Sequence, residues 1–236
     1  IEQTLGELDG VEVLVYAPTD EYQNKPKRQG VKELTPARAL VAEMVRRYAI
    51  LGLECTNLEV QKLAWFLQRS TSFLRVEDPL RLHFVANKYG PYADELRHLL
   101  NGLDGSYLHC GKRLSDAGPL DLIWFENKRR RDVEEFMRSK RGVVYLPVLE
   151  KTSAIIDGFE SPLGMELLAT VDWLLYNDEC APDVAALREA LRQWPGGPAS
   201  GERKLRLFDG DMLKLAITRL AGDDSRPGQF GGGRTG

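Results

Sequence analysis

The chain is poor in the residues that usually announce chemistry. Its three cysteines, Cys55, Cys110 and Cys180, lie far apart. They give neither the Cys-x-x-Cys spacing of a zinc site nor the numbers for a disulfide framework. His83, His98 and His109 stand in no pattern with a nucleophile and a carboxylate that suggests a triad. There is no Gly-x-Gly-x-x-Gly, no Walker loop, no His-Glu-x-x-His and no calcium loop. No apolar run approaches the length of a membrane span, and no signal-peptide pattern opens the sequence. These absences set the expectations of no catalytic residue, no metal, no cofactor and no membrane contact. Thiols without a disulfide pattern fit a reducing cytoplasm.

What is present is an ordinary globular composition, 43% hydrophobic and 28% charged, long enough for one large domain plus an extension. The formal net charge of −3 supplies no global attraction to nucleic acid. Residues 11–16 form a β-branched run that reads as a buried strand. Residues 19–32 are polar and without apolar period, as in a linker. Thr35 and Pro36 then make a helix start. Behind them Leu40, Val41, Met44, Val45 and Tyr48 recur at helical spacing.

Thr56 and Glu59 form a capping-box pattern ahead of the stripe Val60, Leu63, Ala64 and Leu67. Short strands are expected over 80–86 and 120–125. Between them Gly90 and Pro91 are expected to turn the chain directly into a helix carrying Tyr92, Leu96, Leu99 and Leu103, which stops near Gly105. The second half predicts helices over 147–157, 162–176, 182–194 and 211–220, with a glycine- and proline-rich loop at 195–201. Residues from 223 onward have the composition of a disordered tail.

Two blocks, Leu58 to Gln68 with Gln61-Lys62-Leu63 at its centre, and Lys88-Tyr89-Gly90-Pro91-Tyr92, resemble the toxin-neutralising C-terminal module of DarG antitoxins. A similar arrangement occurs in Panacea-type antitoxin domains. Leu34 to Ala39, Gly158 to Pro162, Glu166 to Val171, and Trp194, Arg203-Lys204 and Phe208 follow the same family's order, so the resemblance covers about residues 34–220. It implies a mainly helical α+β module at 34–222, preceded by a macrodomain remnant at 1–18 and a linker at 19–33, with a tail at 223–236. It implies further that this chain is not itself an enzyme. Its function would be to bind and neutralise a DarT-like DNA ADP-ribosyltransferase, by covering the toxin's DNA groove or restraining its loops. A glycohydrolase activity would reside in absent macrodomain residues of a longer parent. A DNA-binding module that delivers the macrodomain to ADP-ribosylated single-stranded DNA is the alternative.

Three surface groups are candidates for binding. Tyr89 and Tyr92, with Lys88, are either rigid partner anchors on an exposed turn or plugs in the core. Asp178, Glu179 and Asp183, grouped with Asp172, either imitate a phosphate backbone before a toxin or are solvated caps; Asp209, Asp211, Asp223 and Asp224 pose the same choice. Lys128, Arg129, Arg130 and Arg131, with Arg138 to Arg141 beyond them, either hold phosphates of single-stranded DNA, a weaker partner, or are the solvated ends of a helix. No aromatic residue lies within either run of charges, as a stacking platform would require.

Overall fold

The computed structural model describes residues 33–50 and 55–222. The expected macrodomain remnant, nearly all of the linker and the tail lie outside the described residues. The described chain is mainly helical with a few short strands, as expected.

Local signals set most helix starts. Pro36 opens α1 (Pro36–Ile50), and the Arg38 backbone N–H donates to Thr35 Oγ1 at 3.4 Å. β1 (Cys55–Thr56) leads into α2 (Asn57–Leu74) through a reciprocal capping box. Thr56 Oγ1 accepts from the Glu59 N–H at 3.3 Å, while Glu59 Oε2 accepts from the Thr56 N–H at 2.7 Å. Both donors are thereby satisfied at a terminus where the helix has no partner for them.

α2 is the centre of the molecule. It is buried without interruption from Leu58 to Leu67, and it packs against α1, α5 (Leu146–Ile156), α6 (Pro162–Tyr176) and β3 (Gly90–Tyr92). A helix buried all round is normally apolar throughout. Here Glu59, Gln61 and Lys62 are buried as well, so each needs a partner.

β2 (Val85–Asn87) pairs with β3 in an antiparallel hairpin, Ala86 opposite Pro91. This corrects two expectations. The segment 80–84 is not strand, and Gly90-Pro91 opens a strand, the helix α3 (Leu96–Leu103) beginning four residues after Tyr92. Proline lacks a ladder donor but is tolerated in a strand at a sheet edge. The end of β3 is then fixed from outside the hairpin: the Gln61 amide donates to Ala93 O at 3.1 Å and accepts from the Ala93 N–H at 3.0 Å.

A second sheet has the order β1-β5-β4, with β4 (Leu108–Cys110) and β5 (Leu122–Phe125) antiparallel and β5 also antiparallel to β1. Cys55, Ile123 and Cys110 form one buried row across it.

The basic segment forms α4 (Arg130–Arg138). α6 spans the expected 162–176, with Ser161 Oγ accepting from the Gly164 N–H. α7 (Val184–Arg192) and α9 (Gly210–Gly222) lie close to their expected limits. The loop expected at 195–201 is largely helix instead, α8 (Pro198–Leu207). Proline suits its first turn. A Cβ at Gly201 would stand 2.3 Å from the Leu191 carbonyl oxygen, so glycine here serves close packing of α8 on α7. No helix of the described residues is long and apolar enough to cross a membrane.

Candidate functional site

Four segments distant in sequence meet beneath the β2–β3 hairpin. Lys62 of α2, 2% exposed, donates from Nζ to the Pro91 carbonyl at 2.7 Å. Burial, and secondarily the Lys204 charge, push its ammonium down to about 7, against an opposing pull from Glu166. Glu166 of α6 accepts from Lys204 Nζ at 2.7 Å and from the Arg203 guanidinium at 2.6 Å. Lys204 has no exposed surface and lies over the rings of Trp194 and Phe208. Burial holds its ammonium below the usual lysine range, with Glu166 opposing.

The Trp194 indole N–H donates to the Asn87 carbonyl at 3.0 Å, tying the first strand of the hairpin as Lys62 ties the second. Gly90 has φ +93°, and a Cβ there would meet Thr170 Oγ1 at 2.9 Å. That hydroxyl is buried and has no hydrogen-bond partner among the described residues. The hairpin is therefore held at fixed height above a buried ionic network.

A cleft of about 450 Å³ opens beside the hairpin turn. Its walls include Asn57, Gln61 and Lys62 of α2, Asn87 to Gly90 and Tyr92 of the hairpin, and Arg97 and Asp116. Lys88 is exposed and lies over the Tyr89 ring, as does Arg203 at 4.9 Å. The Tyr92 hydroxyl donates to Asp94 Oδ1 at 3.2 Å; burial and this bond raise its pKa above the ordinary tyrosine value. Arg97 donates to the Ser115 carbonyl and to Asp94. Cations, ring faces and amides so arranged suit a phosphorylated, aromatic ligand. Among the described residues, Asp116 is the one carboxylate on the walls, and no group of three or more His, Cys, Asp or Glu could hold a metal ion.

The structure brings Lys88, Tyr89 and Tyr92 together in this cleft. Both tyrosines are half-buried, and Tyr92 belongs to β3 rather than to the leucine stripe of a helix. Asp178, Glu179 and Asp183 are exposed around the turn between α6 and α7, where Asp183 caps α7 by accepting from the Ala186 N–H. Asp172 does not join them. It is buried, accepting from the Trp65 indole at 2.8 Å and from Arg69 at 2.9 Å, so it has no charge to offer a partner. Asp209 likewise caps α9.

In the basic segment, Arg129 pairs with Asp132 and Arg130 with Glu134, whereas Lys128 and Arg131 are exposed without an ion pair among the described residues. Sequence reasoning did not single out Lys62, Glu166 or Lys204 as a group. Their only signal was membership of the three motif blocks.

No family model matches the chain. It is 34% identical over 203 residues to a DNA ADP-ribosyl glycohydrolase of Thermus aquaticus, an alignment that covers 82% of this chain and 51% of that protein. It is 27% identical over 226 residues to proteins of the same name from Mycobacterium bovis and Mycobacterium tuberculosis, covering 91% of this chain and 60% of each. The chain thus spans about half the length of the Thermus relative and three-fifths of the mycobacterial ones.

These findings overturn the resemblance to an antitoxin module, the toxin-neutralising function drawn from it, and the expectation that the chain is no enzyme. Across most of its length the relatives carry the name of an enzyme acting on DNA, and none is named an antitoxin. The physical reason lies in the motifs themselves. Gln61, Lys62, Gly90, Glu166 and Lys204 are buried framework residues, so their order reports a shared scaffold and says nothing of a toxin-binding face.

Proposed function

We propose that this chain serves the enzymatic removal of ADP-ribose from DNA, and that the cleft beside the Lys88-Tyr89 turn holds the ADP-ribosylated nucleotide. The observation that carries the reading is the name shared by relatives aligned over 82–91% of the chain. The cleft adds a chemical reason. Its volume of about 450 Å³ falls within the range of small-molecule sites. Lys88 and Arg97 suit a diphosphate, while Tyr89 and Tyr92 suit a base or a ribose face. A hairpin pinned by Lys62 and Trp194 keeps those groups in place before ligand arrives, which lowers the ordering cost of binding.

The test compares ADP-ribosylated and unmodified copies of one oligonucleotide. The chain should bind the modified copy more tightly, and Lys88→Ala combined with Tyr89→Ala should abolish the difference. In a protein of the relatives' full length, the same double variant should raise KM for ADP-ribose release. Equal binding of the two oligonucleotides, with an unchanged KM in the variant, sinks the proposal.

A further inference from the structure

The β1-β5-β4 sheet, whose β4–β5 connection supplies Ser115 to Ala117 and Pro119 to the cleft wall, turns an aromatic face outward. Leu122 and Trp124 alternate with the buried Ile123 and Phe125, and Trp124 is 49% exposed. His109 is the cross-strand partner of Trp124, and the two rings stack with centroids 6.1 Å apart and planes 24° apart. His109 Nε2 lies 3.4 Å from Glu126 Oε2. An exposed tryptophan backed by a stacked imidazole is a flat π-surface rather than an aliphatic patch.

Both strands of this face run directly into cations: β4 into Lys112 and Arg113, β5 into Lys128 to Arg131. Over residues 109–113 and 120–131 there are six lysines and arginines against two carboxylates, although the whole chain carries −3. Arg113, Lys128 and Arg131 are exposed and have no ion pair among the described residues. Trp124 stands on the strand that leads into the basic run, and His109 joins it from the neighbouring strand.

We propose that this face is a single-stranded DNA platform, on which Trp124 and His109 stack unmodified bases while Arg113, Lys128 and Arg131 meet the phosphates. Rings stack on any base and cations meet any backbone, so binding here is tolerant of sequence. The surface is separate from the cleft, and it would hold the strand beyond whatever nucleotide the cleft takes. It stands whether or not the cleft binds ADP-ribose.

The probe is a fluorescein-labelled oligothymidylate of about 12 nucleotides, within the single-strand site sizes of comparable proteins, titrated with the full chain by anisotropy. Wild type should bind at low salt, and Trp124→Ala should weaken binding about tenfold or more. Lys128→Ala with Arg131→Ala should flatten the plot of log affinity against log salt by about 1.4, the slope for two phosphate contacts to a single strand. Thermal melts of the variants should match wild type, since all three side chains are exposed. No binding by wild type at low salt, or wild-type affinity in Trp124→Ala, overturns the proposal. So does loss of self-association in Trp124→Ala with oligonucleotide binding unchanged, which assigns the face to a second copy of the chain. Tyr89→Ala should leave oligothymidylate binding unaltered, so failure of the cleft reading and failure of this one are separately visible.

Discussion

Glu166 and Lys204 meet at 2.7 Å in a place where the first is 2% exposed and the second not exposed at all. Each makes the other's burial tolerable, because an isolated ion in a protein interior loses its hydration with nothing in exchange. Arg203 and Lys62 extend the pair towards the hairpin that shapes the cleft.

Removing one partner should therefore cost much more than removing an exposed charge. Glu166→Ala leaves Lys204 and Arg203 without their shared acceptor, the first of them fully buried, and it should destabilise the fold by about 3–5 kcal/mol. Urea unfolding measures this directly. A loss below about 1 kcal/mol would mean that Lys204 finds water when Glu166 is gone.

The network also predicts a pH dependence. Lys62 is held at about 7 in the folded protein against an ordinary value of 10.5. Above about pH 7 the unfolded chain binds the extra proton and the folded chain does not, so stability rises with pH. Lys204 is shifted in the same direction and adds to the slope. Cys55 opposes it as pH nears 9.0, because burial raises its thiol well above that value. Between pH 7 and about 8.5 wild type should gain stability, and Lys62→Met should show a smaller gain. Equal slopes in the two proteins would place the proton elsewhere.

Gly90 tests how tightly the hairpin is seated. Alanine at φ +93° is strained, and its methyl group would press Thr170 Oγ1. Gly90→Ala should cost about 1–3 kcal/mol from the backbone alone. Adding Thr170→Ala should recover the steric part and leave the backbone part, which a double-mutant cycle on thermal or urea melts separates.

The acidic residues around the end of α6 should divide sharply by burial. Asp172→Ala strips the Trp65 indole and the Arg69 guanidinium of their acceptor and should cost about 3–5 kcal/mol. Asp183→Ala removes a helix cap and should cost about 1 kcal/mol. Glu179→Ala, at an exposed turn position whose left-handed backbone (φ 49°) alanine strains as glutamate does, should fall within about 0.5 kcal/mol. A ranking with Asp172 last would contradict the assignment of its partners.

What was legible in the sequence is what neighbours in the chain decide. Thr35-Pro36, the Thr56–Glu59 box and Ser161-Pro162 fix helix starts through bonds spanning three residues, and apolar spacing marked the buried faces of α1, α6 and α9. The mainly helical class followed from these. Partnership across the chain was not legible. Nothing near Asp172 announces Arg69, 103 residues away, and nothing near Lys62 announces the Pro91 carbonyl. The hairpin at 85–92 exists because α2 and Trp194 clamp it, whereas local pattern favoured a turn into helix. α8 forms in a glycine- and proline-rich stretch because Gly201 lets it lie against the end of α7. The aromatic face of Trp124 and His109 arises only when two strands 14 residues apart take the same register. Sequence by itself determined the elements that short-range hydrogen bonds and periodicity can specify. Burial of charge, and the surfaces left exposed, were decided by tertiary packing, because desolvation and ion pairing depend on which distant segments close over each group.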